Sequence, residues 1–95
     1  MNKYEAMYVI APEVENEALK AMIDKFSGII TANGGEIGNV DEWGKRRLAY
    51  PINYKTEGYY VLITFAGSSE LPKELERNFN NDENIIRYLV IRKDA

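Results

Sequence analysis

Hydrophobic residues recur along this chain in two different rhythms. Period-two alternation predicts β-strands, and it occurs over 3–10, 36–52, 59–65 and 85–92. Three- and four-residue spacing predicts a helix from about residue 14 to residue 33 and a shorter one from about 70 to 79. Gly34 and Gly35 end the first helix, and Pro72 suits the first turn of the second.

The resulting order, β-α-β-β-α-β, predicts an α+β protein. With right-handed crossovers it forms a ferredoxin-like split β-α-β sandwich, a four-stranded antiparallel sheet of order 4-1-3-2 with both helices on one face. The whole chain, residues 1–95, is expected to form one domain. The first and third strands are apolar on both sides, so the open face needs either local side-chain cover or a binding partner.

The second strand contains the most unusual stretch, DEWGKRRLAYPI at 41–52. Pro51 cannot donate to a strand ladder, which agrees with the edge position that the sheet order gives this strand. We expect a bend or bulge near Gly44 and a hairpin turn over 53–58. Lys45, Arg46 and Arg47 are consecutive and therefore point to alternate sides unless the edge is twisted. These three cations either remain solvated, form ion pairs with Asp41 and Glu42, or bind an acidic or phosphate-bearing partner.

Composition argues against catalysis. Among its 95 residues the chain has no cysteine and no histidine, which removes thiolate chemistry and the commonest general base and metal ligand. No carboxylate spacing suggests an acid–base pair or a cation site, so no enzyme activity, cofactor or metal is expected. An acylphosphatase-like enzyme of this fold would need a phosphate cradle that the sequence does not show. No secretory signal or membrane-spanning run is evident, so a soluble intracellular protein is expected.

The charges are unevenly spread. A net charge of −3 argues against unaided nucleic-acid binding. Lys3 lies on the first strand, however, and Arg87, Arg92 and Lys93 lie on or beside the neighbouring fourth strand. We expect the topology to gather these four cations at one end of the sheet, as a candidate phosphate-binding group.

Strand tyrosines offer an alternative function. Stacking of single-stranded RNA bases on Tyr8 and Tyr59 would make this an RRM-like module. The stretch 57–65 (EGYYVLITF) follows the RRM signature poorly, because Glu57 replaces its cation and Val61 its second stacking ring. The alternation turns Tyr8 toward the helices, so the exposure of Tyr8 distinguishes the two functions. A small-molecule-binding regulatory domain of the same fold is a further alternative.

Several segments together carry a family resemblance. They are Tyr4-Glu5, Gly34-Gly35, WGKRRLAYPI at 43–52, Gly58-Tyr59-Tyr60, ELER at 74–77 and IIRY at 85–88. In these the chain resembles the S-six family of bacterial small-subunit ribosomal proteins over nearly its whole length. The resemblance implies a cytoplasmic, non-enzymatic constituent of the 30S ribosomal subunit. It also implies binding to the central domain of 16S rRNA as a heterodimer with the eighteenth small-subunit protein, here called S-eighteen.

The resemblance implies two sets of contact residues. The side of the second strand facing S-eighteen would carry Asp41, Glu42, Arg46, Arg47 and Tyr50. The contacts to rRNA phosphates would be Lys3, Arg87, Arg92 and Lys93. An unpaired apolar edge is also expected to allow weak self-association of the isolated protein.

Overall fold

A computed structural model describes residues 1–52 and 55–93. Its elements are β1 (Asn2–Ile10), α1 (Asn16–Ala32), β2 (Glu36–Ile52), β3 (Lys55–Gly67), α2 (Leu71–Asn80) and β4 (Ile85–Arg92). The strands form one antiparallel sheet in the order β2-β3-β1-β4, which is the predicted order 4-1-3-2. The ferredoxin-like prediction is confirmed, and β2 is an edge strand as Pro51 suggested.

Two predicted boundaries are wrong. β3 begins at Lys55, so residues 55–58 belong to a strand and not to a turn, while 53 and 54 lie outside the described residues. Pairing of Arg47 with Glu57 and of Ile52 with Lys55 continues the ladder there, which overrides the weak strand propensity of this stretch. Helix α1 starts at Asn16, because Glu15 still has extended backbone angles.

The hairpin of β2 and β3 extends past the rest of the sheet. Pairing of β3 with β1 begins at Tyr59, opposite Ile10, while Lys55, Glu57 and Gly58 pair with β2 alone. We call residues 46–52 and 55–58 the ribbon. An ion pair between Lys55 and Glu13 joins it to the segment before α1.

Three aromatic rings connect the layers of the sandwich. Tyr8 on β1, Phe26 on α1 and Phe79 on α2 are each at most 1% exposed. Their ring centroids lie 5.2 Å apart for Tyr8 and Phe26, 5.0 Å for Tyr8 and Phe79, and 4.7 Å for the two phenylalanines. Such contacts add about 0.5–1.5 kcal/mol per pair to the free energy of area burial. Both helices are therefore fixed on the face of the sheet that carries Tyr8.

This arrangement excludes the RRM-like alternative in the form that the sequence suggested. Tyr8 is fully buried. Tyr59 is paired with Ile10 and so lies on the same face, partly buried against the core. Neither ring is presented on the open face, where a single-stranded base would have to stack.

The hydroxyl of Tyr8 has an unusual environment. It has no hydrogen-bond partner among the described residues. Burial raises the pKa of Tyr8, with the carboxylates of Glu42 and Asp24 adding to the effect, so the hydroxyl stays protonated. An unpaired buried hydroxyl costs about 1–3 kcal/mol, whereas a paired one contributes about 0.5–1.5 kcal/mol.

We therefore expect Tyr8→Phe to leave the free energy of unfolding unchanged or to raise it by about 1 kcal/mol. Tyr4→Phe is the matched control, because the Tyr4 hydroxyl accepts a hydrogen bond from the Asn2 side chain at 3.1 Å. It should lower the free energy of unfolding by about 0.5–1.5 kcal/mol. Urea denaturation of both variants checks this, and a larger loss for Tyr8→Phe than for Tyr4→Phe would show that the Tyr8 hydroxyl is paired.

Candidate protein and nucleic-acid interface

The face of the sheet opposite the helices is open. Strand pairing identifies the residues that point to it. They include Lys3, Glu5, Met7 and Val9 on β1, Tyr60, Leu62, Thr64 and Ala66 on β3, and Arg87, Leu89 and Ile91 on β4. One half of this face, near Val9, is mainly apolar, and the other half, near Lys3, is charged. We call them the apolar half and the charged half.

The apolar half exposes large side chains. Leu89 is 58% exposed and Trp43 37% exposed. Met7, Val9, Tyr60 and Leu89, with Arg87 and Tyr88, line a depression of about 160 Å³. Exposed apolar residues that are clustered in this way typically mark an interaction surface.

Trp43 is held in place by a bulge in β2. The register with β3 shifts between Glu42 and Gly44, and Gly44 has a φ of 82°, which a side chain would make unfavourable. The indole ring stacks on Tyr60 at 6.4 Å between centroids and 9° between planes. Its Nε1–H donates to Asp41 Oδ2 at 2.9 Å. The bulge expected near Gly44 is confirmed.

Sequence reasoning missed Trp43 as a site residue. The sequence did offer one signal: its only tryptophan lies directly before a glycine in an edge strand. A bulge at that glycine adds one residue to the strand and can redirect a neighbouring side chain. The direction in which Trp43 turns depends on Tyr60 of β3, which strand periodicity alone does not show.

The cation triplet divides between the two sides of the edge, as alternation predicted. Arg46 pairs with Gly58 and lies on the open-face side. Lys45 pairs with Tyr59, and Arg47 with Glu57, so both lie on the other side. Arg46 is thus the member of the triplet that shares a side with Trp43.

The two acids of the predicted partner surface also divide. Asp41 pairs with Leu62 on the open-face side, and Glu42 pairs with Val61 on the helix side. Glu42 accepts a hydrogen bond from the Tyr59 hydroxyl at 2.9 Å, and burial together with this bond raises the pKa of Tyr59. Tyr50, further along β2, is 59% exposed. The five residues of this set therefore lie exposed on both sides of one strand.

Three of the four predicted phosphate contacts lie at the Lys3 end of the sheet, and two of them, Lys3 and Lys93, belong to the charged half. The backbone N–H of Lys93 donates to the Lys3 carbonyl at 2.8 Å. Arg92 Nη2 donates to Asn2 Oδ1 at 3.0 Å, which places its guanidinium at the same end of the sheet. Arg92 pairs with Tyr4, however, so it lies on the helix side and not on the open face. Lys93 Nζ lies 3.9 Å from a carboxylate oxygen of Glu5.

Arg87 lies elsewhere, so the expectation that all four cations gather at one end is wrong for this residue. It pairs with Val9, six positions along β1 from Lys3, or about 20 Å away at ~3.3 Å per residue. The reason is strand direction: β4 runs antiparallel to β1, so its first residues lie beside the last residues of β1. Arg87 borders the apolar half.

Fold and surface define a small α+β binding protein whose open sheet face presents adjoining apolar and charged regions. The family model for ribosomal protein S6 matches residues 3–92. The chain belongs to the ribosomal protein S6 family and, as a member, is a structural, non-enzymatic protein of the small ribosomal subunit. None of the helices in the described part of the chain is long and apolar enough to cross a membrane.

Individual relatives agree with this membership over nearly the whole chain. Small ribosomal subunit protein bS6 of Caldanaerobacter subterraneus is 50% identical over 94 residues, 99% of each chain. The protein of the same name from Clostridium novyi is 48% identical over 94 residues, again 99% of each chain. The crystal structure of 30S ribosomal protein S6 from Thermotoga maritima superposes with a TM-score of 0.93 at 32% identity, covering 97% of this chain and 87% of that one.

We expect Gly44→Ala to destabilise the protein by about 1–2 kcal/mol and to release Trp43 from Tyr60, because alanine disfavours a positive φ. Gly28→Ala in α1 is the control: a Cβ would meet nothing within 4 Å at either glycine, but Gly28 is helical. It should stabilise the protein by about 0.5–1 kcal/mol. Urea denaturation measures stability and tryptophan emission reports ring release; equal effects of the two substitutions would contradict a role for the backbone angle.

Proposed function

We propose that this protein, acting as one domain over residues 1–95, binds the central domain of 16S rRNA together with S-eighteen as a heterodimer. The observation that carries the proposal is the division of the open face into an apolar half near Val9 and a charged half near Lys3, at the other end of β1. Apolar surface suits a protein partner, and clustered cations suit phosphates.

The proposed surface for S-eighteen is centred on Trp43. Tryptophan, tyrosine and arginine are the residue types that most often dominate the binding free energy of protein interfaces. Trp43 is already ordered by Tyr60 and Asp41, so little side-chain entropy is lost when a partner covers it. The charged and aromatic residues of the proposed contact set lie along the same strand, with Asp41 and Arg46 on the side of Trp43 and Glu42 and Arg47 on the other side, and Tyr50 further along.

The proposed rRNA surface is the charged half. Lys3 and Lys93 there, together with Arg92 on the helix side of the same end of the sheet, would contact phosphates as a group. Arg87 would contact the RNA separately, at the border where the partner and the RNA meet. A protein of net charge −3 has little non-specific affinity for RNA, so a basic partner would supply the remaining positive charge.

The isolated protein is proposed to self-associate weakly. β4 is an edge strand, and Leu89 and Ile91 on it are exposed large hydrophobic residues. Such an edge can pair with a second copy. Sedimentation velocity should show a concentration-dependent dimer that Leu89→Lys removes; a monomer at all concentrations would contradict the proposal.

Arg46→Glu combined with Arg47→Glu should abolish binding of S-eighteen while the fold is retained, because charge reversal on both sides of β2 removes complementarity with the partner. Isothermal titration calorimetry measures the affinity and circular dichroism the fold. The single variants show which side of the edge is used.

Lys73→Glu is the matched control for these charge reversals, since Lys73 is exposed on α2 in the layer opposite the open face. It should bind S-eighteen like the wild type. Unchanged affinity of the double variant would exclude this edge as the interface.

Arg87→Ala should weaken binding of the heterodimer to a central-domain rRNA fragment and reduce the slope of log K against log salt by about one unit. The reason is that one phosphate contact and its released counterion are lost. Lys20→Ala on α1 provides a control with the same loss of charge. A slope equal to that of the wild type would remove Arg87 from the RNA contacts.

A further inference from the structure

A groove of about 390 Å³ lies at the charged end of the open face. Small residues of β2 and β3, namely Gly38, Thr64 and Ala66, form its floor. The charged residues Lys3, Lys93 and Glu36 also line it. A volume of this size falls within the usual range for small-molecule sites, about 300–1,000 Å³.

The positively charged Lys3 and the negatively charged Glu36 lie on different sides of the groove. Ala66 pairs with Lys3 of β1 on one side and with Glu36 of β2 on the other. Because neighbouring strands are about 4.8 Å apart, the backbones of Lys3 and Glu36 are separated by about 10 Å across the floor. Lys93 is fixed beside Lys3 by a backbone hydrogen bond, and Glu5 lies near its ammonium group.

A second irregularity of β2 keeps the groove open. The register with β3 shifts between Ile37 and Asn39, which leaves Gly38 as the extra residue. A Cβ at Gly38 would lie 2.9 Å from Thr64 Oγ1, closer than van der Waals contact allows. Any other residue at this position would therefore intrude on the floor.

We infer that this groove binds one unpaired nucleotide of the RNA, with guanine preferred; the inference rests on the proposed function and specifies its RNA contact. The nucleotide phosphate would lie against Lys3 and Lys93, and the base would cross the floor toward Glu36. RNA-binding proteins mostly recognise unstacked bases, through stacking and hydrogen bonds to their Watson–Crick edges.

The preference for guanine follows from hydrogen bonding. The Watson–Crick edge of guanine presents two adjacent donors, N1–H and the N2 amino group, which match the two acceptor oxygens of the Glu36 carboxylate. Uracil presents one donor on that edge. A good bidentate contact discriminates by about 1–3 kcal/mol, so guanine should bind at least about fivefold more tightly than uracil.

Nuclear magnetic resonance titration of the labelled protein tests the site without RNA or partner. Guanosine monophosphate should shift the amides of Gly38, Thr64 and Ala66, with a dissociation constant at least about fivefold below that for uridine monophosphate. Glu36→Gln should remove most of this difference, and Glu76→Gln on α2 should not. Equal binding of the two nucleotides, the same shifts with inorganic phosphate alone, or no shifts in the groove would each overturn the inference.

A second experiment separates this inference from the proposed function. Ala66→Leu fills the groove without changing a charge. It should weaken binding of the heterodimer to the central-domain fragment about tenfold with an unchanged salt slope, whereas Lys3→Ala should also reduce the slope by about one unit. Circular dichroism confirms that each variant is folded.

Failure of the groove inference and failure of the proposed function would give different results. Wild-type RNA affinity in a folded Ala66→Leu variant would overturn the groove and leave the proposed function standing. Absence of RNA binding by the wild-type heterodimer would overturn the proposed function, and the mononucleotide titration would still decide whether the groove is a nucleotide site.

Discussion

Packing of Tyr8, Phe26 and Phe79 against one another is the contact on which the rest of the architecture depends. One ring comes from the central strand β1 and one from each helix, so their burial commits both helices to the same side of a four-stranded sheet. The opposite side is left without a layer of its own. The open side then carries exposed apolar side chains such as Leu89 of the edge strand β4, and a protein with this surface is suited to an assembly.

The two register shifts in β2 change the open face of the sheet in different ways. Beside Gly44 the extra residue is Trp43 itself, whose ring lies over Tyr60 and adds an ordered ring to the apolar half. At Gly38 the extra residue has no side chain, which leaves a depression in the charged half. Regular pairing throughout β2 would have produced neither the ordered Trp43 ring nor the depression at Gly38, because each residue would then lie on the face that strict alternation assigns to it.

The sequence was sufficient for most of the fold. Strand periodicity and the rule for crossovers predicted the element order, the sheet order and the burial of Tyr8, and Gly44 indicated a bulge. The start of β3 was not predictable from residues 55–58, because pairing with β2 decides their conformation. The grouping of Arg87 with Lys3 failed for a related reason: adjacency of β1 and β4 was inferred correctly, but the distance depends on their relative direction.

Trp43 and the groove at Gly38 show the limit of such reasoning for the candidate site. Each depends on a register shift in a particular ladder, and no residue type at one position specifies the partner across it. The cations were recognisable as a class from charge alone. Their division between the two ends of the sheet required the pairing of strands.

The ribbon has a consequence for the energetics of assembly. Its pairs, such as Arg47 with Glu57 and Ile52 with Lys55, lie beyond the point where β1 stops supporting β3, and an isolated two-stranded hairpin is marginally stable in water. Its amide hydrogens should therefore exchange through local opening long before the core strands unfold. Arg46, Arg47 and Tyr50 lie on this segment, so a partner that binds them must also supply the free energy that orders it. The ion pair of Lys55 with Glu13 reduces that cost by joining the ribbon to the body of the protein before any partner arrives.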